Sequence, residues 1–208
     1  MSTYIPENGI HCERCHEIFY RYTYITDVID ADRKDKLSSD ALKGNVNRVE
    51  CPFCKTEFTY EGPLLLFSNT ACAAALSACK FAPTEVGNFN LALKMSKATH
   101  WKLRKCIFAM FNCEKMRIFK SNLCDGKIEI LKYMYFKEYR DMDFRDYYIV
   151  FQKHENNTLY FTKNDDVDNV LKEYTIDFEK YTNISDIDIP CGQWMTIDRD
   201  WAKKQLEE

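Results

Sequence analysis

Two cysteine pairs of identical spacing, Cys12-Glu13-Arg14-Cys15 and Cys51-Pro52-Phe53-Cys54, stand 35 residues apart in a chain of 208. Two residues between cysteines let one tight turn aim both sulfurs at a single point. A second such turn completes a tetrahedron around an ion about 2.3 Å from each sulfur. The double motif therefore predicts a four-thiolate site, with zinc as the one structural ion and Cys12, Cys15, Cys51 and Cys54 as its ligands. Such a site leaves no coordination position for substrate or water, so it specifies a scaffold and not a reaction. Zinc-finger peptides couple folding to metal binding with roughly 10–16 kcal/mol of apparent free energy, and a clip closing a long loop is expected to act likewise. A redox dithiol is the other reading of one such pair, but it asks for a thioredoxin-like βαβ setting and leaves the second pair without a role. His11 and His16 flank the first pair, and each has the chemistry to replace a cysteine; with four thiolates closing the shell, both are read as neighbours. Glycine follows neither pair. His16 and Lys55 stand there instead, which predicts left-handed backbone adopted at a cost.

The rest of the composition is that of an ordinary globular protein. Hydrophobic residues make up 46%, and six glycines and five prolines leave no linker-like or low-complexity stretch. The first residues carry neither a basic nor an apolar targeting segment, and no apolar run approaches the roughly 18 residues of a membrane span. A soluble, cytoplasmic protein is expected, in keeping with cysteines spaced for metal and not as a disulfide framework. The net charge of −3 is unevenly distributed: residues 63–140 hold 13 Lys/Arg against 5 Asp/Glu, and residues 141–208 hold 8 against 16. Mutual neutralisation of packed segments explains this, and a phosphate-binding face is the alternative.

Along the chain, the aromatic and β-branched run Ile18–Ile25 reads as a strand leaving the metal site. Residues 32–43 read as a short surface helix stopped by Gly44-Asn45, and Phe58–Tyr60 and Leu64–Phe67 as further strands that complete a zinc ribbon near residue 68. Asn69 is placed to cap an Ala-rich helix from Thr70 to about Lys80, with Cys72, Ala75, Leu76 and Cys79 on one face. Those two thiols are read as lining a helix contact, with a second metal site as the alternative. A strand over Leu103–Met110 is followed by two helices, one with Asn112 as a candidate cap and one started by Asp125. Tyr147–Phe151 and Leu159–Thr162 flank Asn156-Asn157 as a hairpin, Tyr174–Phe178 and Trp194–Ile197 read as strands, and Asp200–Leu206 as a closing helix docked by Trp201. The fold class is α+β, with an N-terminal zinc-ribbon-like β unit over residues 1–68 and a mixed helix and antiparallel-sheet domain over 69–208 (helices about 112–140, β-rich 146–199, a final helix about 200–206).

These residues resemble the CpXC-domain proteins of bacteria and archaea, named for two Cys-Pro-x-Cys knuckles several tens of residues apart. The likeness rests on the knuckles, on Gly62-Pro63-Leu64-Leu65-Leu66-Phe67, on Glu114-Lys115-Met116-Arg117-Ile118-Phe119, on Gly126–Lys132 and on Ile197-Asp198-Arg199-Asp200-Trp201-Ala202. It implies Cys12, Cys15, Cys51 and Cys54 as metal ligands and carries no catalytic assignment. The first knuckle departs from the pattern with Glu13 in place of proline, and the Ala- and Cys-rich stretch 70–80 is unusual for the family.

Three functions remain in view. The first is a non-catalytic protein-interaction or regulatory module that zinc makes rigid, favoured by the closed site and by the lack of a phosphate-cradling loop or nucleophile elbow. The second is nucleic-acid binding through ribbon aromatics Tyr20, Tyr22 and Tyr24 and the cations Arg14, Arg21, Lys102, Arg104 and Lys105. A contiguous basic face would favour it, and cations scattered among acids would favour the first. The third is an enzyme with Cys191 as nucleophile and His154 as base, which requires the fold to bring them together.

Overall fold

Ala73, Ala74 and Ala75 have high helix propensity, yet they form the middle strand of a sheet. The computed structural model describes residues 2–4, 9–20, 23–25, 28–46, 48–59, 64–77, 99–136, 139–140, 147–165 and 171–207. In it β1 (Ser2–Tyr4) pairs antiparallel with β4 (Thr23–Ile25), while β2 (Ile10–His11) pairs with β3 (Ile18–Phe19) and β6 (Arg48–Glu50) with β7 (Glu57–Thr59). The segment expected as one strand over 18–25 is therefore two strands in different sheets. Five more strands form the main sheet in the order β14 (Trp194–Met195), β10 (Lys102–Cys106), β9 (Ala73–Ser77), β8 (Leu64–Ser68), β5 (Val28–Asp30). This sheet crosses position 68, because β8 pairs with β9 along Leu64↔Ser77 to Ser68↔Ala73.

Period-2 alternation distributes the apolar side chains over both faces of the main sheet. Leu64 and Leu66 pack with Ile29, Val46, Cys113 and Met116, beneath α1 (Lys36–Leu42) and α2 (Ala109–Lys120). Leu65, Ala74 and Leu103 pack on the opposite face with Trp101 and Trp194. The alanines of β9 are fully buried between these layers. Helix α2 runs across β8, β9 and β10, and here a methyl-sized side chain lets the backbone approach. Ala exceeds ordinary residues in helix propensity by at most about 0.7 kcal/mol per position, so pairing and burial on both faces outweigh it. The helix expected over Thr70–Lys80 is thus corrected to a turn and a strand; Cys79 and Lys80 lie outside the described residues. Asn69 caps nothing: the turn after β8 is held by Asp32, which accepts from Ser68 Oγ at 2.7 Å and Thr70 N at 2.9 Å and pairs with Lys120.

Other boundaries follow local chemistry. Asp35 caps α1 through Ser38 N at 2.9 Å, and Gly44 ends it at φ +84°. Asn112 is not a cap but lies inside α2, fully buried, where its amide donates to Leu64 O at 2.8 Å and Ser77 Oγ at 3.0 Å. Asp125 likewise opens α3 (Asp125–Tyr135) without capping it; Cys124 holds the cap position and the carboxylate turns to Arg104. A third layer, the antiparallel meander β11 (Tyr147–Glu155), β12 (Thr158–Asp165), β13 (Leu171–Asp177), joins α2 and α3 in the largest core, which includes Ile118, Ile128, Leu131, Phe151 and Phe161. Its hairpin turns on Asn156 and Asn157, at φ 49° and 59°. Helix α4 (Phe178–Thr182) follows the meander, and α5 (Arg199–Glu207) docks on α3, where Trp201 lies against Gly126. The architecture is α+β. Among the described residues no helix is long and apolar enough to cross a membrane.

Candidate metal centre

Each cysteine pair sits in a turn between two short strands, and the two units repeat at an offset of 39 positions. Ile10 faces Phe19 across the first ribbon as Val49 faces Phe58 across the second. The Cys12 N–H donates to Glu17 O at 3.0 Å and Cys12 O accepts from His16 N at 2.8 Å; Cys51 makes the same two bonds with Thr56 and Lys55 at 2.9 and 3.0 Å. Closing both bonds over so few residues forces the position after the pair into the left-handed region. His16 has φ 61° and Lys55 φ 62°, as their place in the sequence predicts. Phe19 and Phe58 meet edge to face at 6.5 Å, and with Ile10 and Val49 they form a small core beneath the cysteines.

The four Sγ atoms of Cys12, Cys15, Cys51 and Cys54 lie within 4.8 Å of one another. The Cys12–Cys54 and Cys15–Cys51 sulfurs are each 3.6 Å apart. A tetrahedron with sulfurs about 2.3 Å from its centre has edges of about 3.8 Å, so the donor set fits one four-coordinate ion of the thiophilic class. Cys12 and Cys51 are buried, Cys15 and Cys54 half-buried. The Thr56 hydroxyl and backbone N–H beside the Cys54 sulfur hold its thiol down to about 6. At Cys15 the Glu17 backbone favours the thiolate, but burial and the three neighbouring thiols push it up to about 12. Crowded thiols resist joint ionisation, and a bound cation would remove that repulsion. His11 and His16 are exposed, with their rings 5.8 Å apart, and neither joins the sulfur cluster.

A model of the CpXC protein family matches residues 10–132, more than half of the chain. The chain belongs to the CpXC family. No curated protein and no solved structure matches it. The match takes in both knuckles, β8, α2 and most of α3, and the Ile197–Ala202 pattern lies outside it. In this CpXC chain the knuckle tips carry Arg14 and Phe53 at equivalent positions; Phe53 is 59% exposed, Tyr20 67% and Ile18 53%.

Among the described residues, the candidate nucleic-acid contacts stand on two elements, the first knuckle and β10. Arg104 is the clearest departure: it is 2% exposed, and its guanidinium grips Asp125 with bonds of 2.7 and 3.0 Å, leaving it out of reach of a phosphate. Lys102 is half-buried with its ammonium over the Phe119 ring at 5.4 Å, Lys105 is exposed on the same strand, and Arg14 belongs to the first knuckle. Arg21 and Tyr22 lie outside the described residues, as does the Tyr24 side chain. Cys191 is exposed in the loop before β14, while His154 stacks on Phe178 in the meander at 4.1 Å.

A second polar constellation escaped the sequence reading. Three buried cations and three buried carboxylates alternate through the interior: Arg104 with Asp125, Asp125 with Lys115 at 3.5 Å, Lys115 with Glu129 at 2.8 Å, Glu129 with Lys132 at 3.0 Å, and Lys132 with Glu114 at 3.1 Å. Glu114 also accepts the Phe151 N–H, and Glu129 accepts the Tyr139 hydroxyl at 2.6 Å. The run joins β10, α2, α3 and β11. Burial alone would raise the Glu129 pKa, yet Lys115, Lys132 and the Tyr139 bond hold it well below the ordinary carboxylate value. The run is neutral as a set and leaves the cation surplus of residues 63–140 unchanged; Lys120 and Lys127 offset part of it by pairing with Asp32 and Asp186 outside the segment. The available signal was the pair Glu114-Lys115 standing between Cys113 and Met116 in α2.

Proposed function

We propose that this chain is a zinc-stabilised, non-catalytic protein-interaction module. The observation that carries the reading is the cluster of four Sγ atoms within 4.8 Å, contributed by two knuckles that share a small core. Cys12, Cys15, Cys51 and Cys54 would hold the ion, which supplies cross-linking and no open coordination site. The unit then presents Ile18, Tyr20 and Phe53, large apolar side chains that a folding core would ordinarily cover. Cations around them are interleaved with acids: Arg48 pairs with Glu57, Lys55 stands 3.7 Å from Glu50, and Glu13 and Glu17 are exposed nearby. Such a surface supports a protein partner over a polyphosphate backbone, which rewards a contiguous basic face. A cytoplasmic setting fits a site built from reduced thiols.

A photo-crosslinking residue in place of Phe53, used in the cell of origin, tests this. A discrete protein adduct that disappears in a Cys51→Ser background is expected. A nuclease-sensitive adduct, or salt-dependent binding of single-stranded DNA or RNA by the zinc-loaded chain, would move the assignment to nucleic acid.

A further inference from the structure

The two knuckles are equivalent in backbone but not in side chain, and the difference lies against one sulfur. Thr56 of the second unit corresponds to Glu17 of the first, and Arg14 of the first corresponds to Phe53 of the second. Arg14 reaches across between the units and donates from Nη1 to Thr56 Oγ1 at 3.3 Å, and Thr56 Oγ1 lies 3.3 Å from Cys54 Sγ. A guanidinium has donors only, so at this contact Thr56 accepts, and its own hydroxyl proton is free for another partner. A metal-bound sulfur is a thiolate and can only accept, so the Thr56 hydroxyl proton is directed at Cys54 across the 3.3 Å contact, and every proton in the run Arg14, Thr56, Cys54 points toward the metal. Glu17 has no proton to offer Cys15, and Phe53 no charge, so among the described residues this run exists once, at one of the two half-buried sulfurs.

We infer that Arg14 and Thr56 are a positioning pair for the metal site, in which Arg14 orients the Thr56 hydroxyl onto the Cys54 thiolate and ties the first knuckle to the second. The inference rests on the metal reading above. Hydrogen bonds to a coordinating thiolate draw charge from the sulfur and fix its direction, and loss of such outer partners typically costs about 10–100-fold in metal affinity. It also assigns Arg14 a role inside the protein in place of a contact to nucleic acid.

The test uses the full chain loaded with zinc or with cobalt. Transfer of zinc to an excess of chelating dye is expected to be about 10–100-fold faster in Thr56→Val and in Arg14→Ala than in the parent. Thr56→Ser should restore the slow rate. The double variant should be no faster than Thr56→Val alone, because Arg14 acts through the hydroxyl. In the cobalt forms, the sulfur-to-metal charge-transfer band of both single variants should move to lower energy, a change that general loosening of the fold does not produce. Arg48→Ala, a surface arginine of the same unit, should leave rate and band unchanged. Parental rates and bands in Thr56→Val and Arg14→Ala, effects that multiply in the double variant, or an Arg48→Ala as fast as Arg14→Ala would each overturn the inference. A parent chain that takes up neither metal overturns the metal reading itself and this inference with it, an outcome distinct from the others.

Discussion

Glu129→Gln isolates the electrostatics of the buried charge run, because glutamine matches glutamate in volume and leaves no cavity. Glu129 is 2% exposed and is shared by Lys115 at 2.8 Å, Lys132 at 3.0 Å and the Tyr139 hydroxyl at 2.6 Å. After the change, three cations face two carboxylates in a volume where Lys115 and Lys132 are 3% and 1% exposed. Breaking a buried pair from one side costs about 3–5 kcal/mol, since the surviving charge keeps its desolvation penalty. Lys115 retains Asp125 at 3.5 Å and Lys132 retains Glu114 at 3.1 Å, which places the expected loss near the lower end, about 3 kcal/mol. That is a large share of the roughly 5–15 kcal/mol that holds a domain folded. Urea titration of the zinc-loaded parent and variant at neutral pH measures it, as a lower midpoint at unchanged slope. The pH dependence adds a second constraint. The folded Glu129 pKa lies below its ordinary 4.5, so its contribution is complete above that value and is lost as pH falls through the folded one. The gap between parent and variant should therefore be flat above about pH 5 and narrow in acid. A loss below about 1 kcal/mol at pH 7, or a gap indifferent to pH, would refute the reasoning.

Other substitutions probe separate links. Asn112→Leu removes both donors that join α2 to β8 and β9 and should cost about 1–3 kcal/mol, read from the same titration. A Cβ on Gly126 would stand 2.6 Å from Ile189 Cδ1 and 2.8 Å from Trp201 Cη2. Overpacking of about 1–3 kcal/mol is then partly offset by about 1 kcal/mol of helix propensity, so Gly126→Ala should lose about 1 kcal/mol and shift the tryptophan emission. Lys55→Gly relieves a left-handed backbone at φ 62° and should gain about 1 kcal/mol in the zinc-loaded chain; its 3.7 Å pair with Glu50 is exposed and contributes little.

What the sequence disclosed and what it hid have physical causes. The four-cysteine unit was legible because the Cys-x-x-Cys spacing is itself geometry: it fixes where two sulfurs point whatever surrounds them, and it implied the strained positions His16 and Lys55. The Asn156-Asn157 hairpin was legible for the same reason, since left-handed backbone is chemically marked. Strand β9 was not, because the preference of Ala73–Ala75 for helix is a few tenths of a kcal/mol per residue, while burial between two layers is a tertiary property that no local window contains. The buried ions were missed because charged residues on helices, Lys115 on α2 and Glu129 and Lys132 on α3, ordinarily mark solvated positions; only the fold brings them together with β10 and β11. Nothing in the sequence around Arg104 marks it as buried, because its partner Asp125 lies 21 positions on and meets it only in the fold.

The central claim is that Cys12, Cys15, Cys51 and Cys54 together hold one zinc ion. X-ray absorption at the zinc edge, on the full chain purified without added metal, tests it most directly alongside elemental analysis. One zinc per chain with four sulfur neighbours at about 2.3 Å is the predicted result. A shell containing nitrogen or oxygen, another metal in its place, or no bound metal with the thiols fully reduced would contradict it.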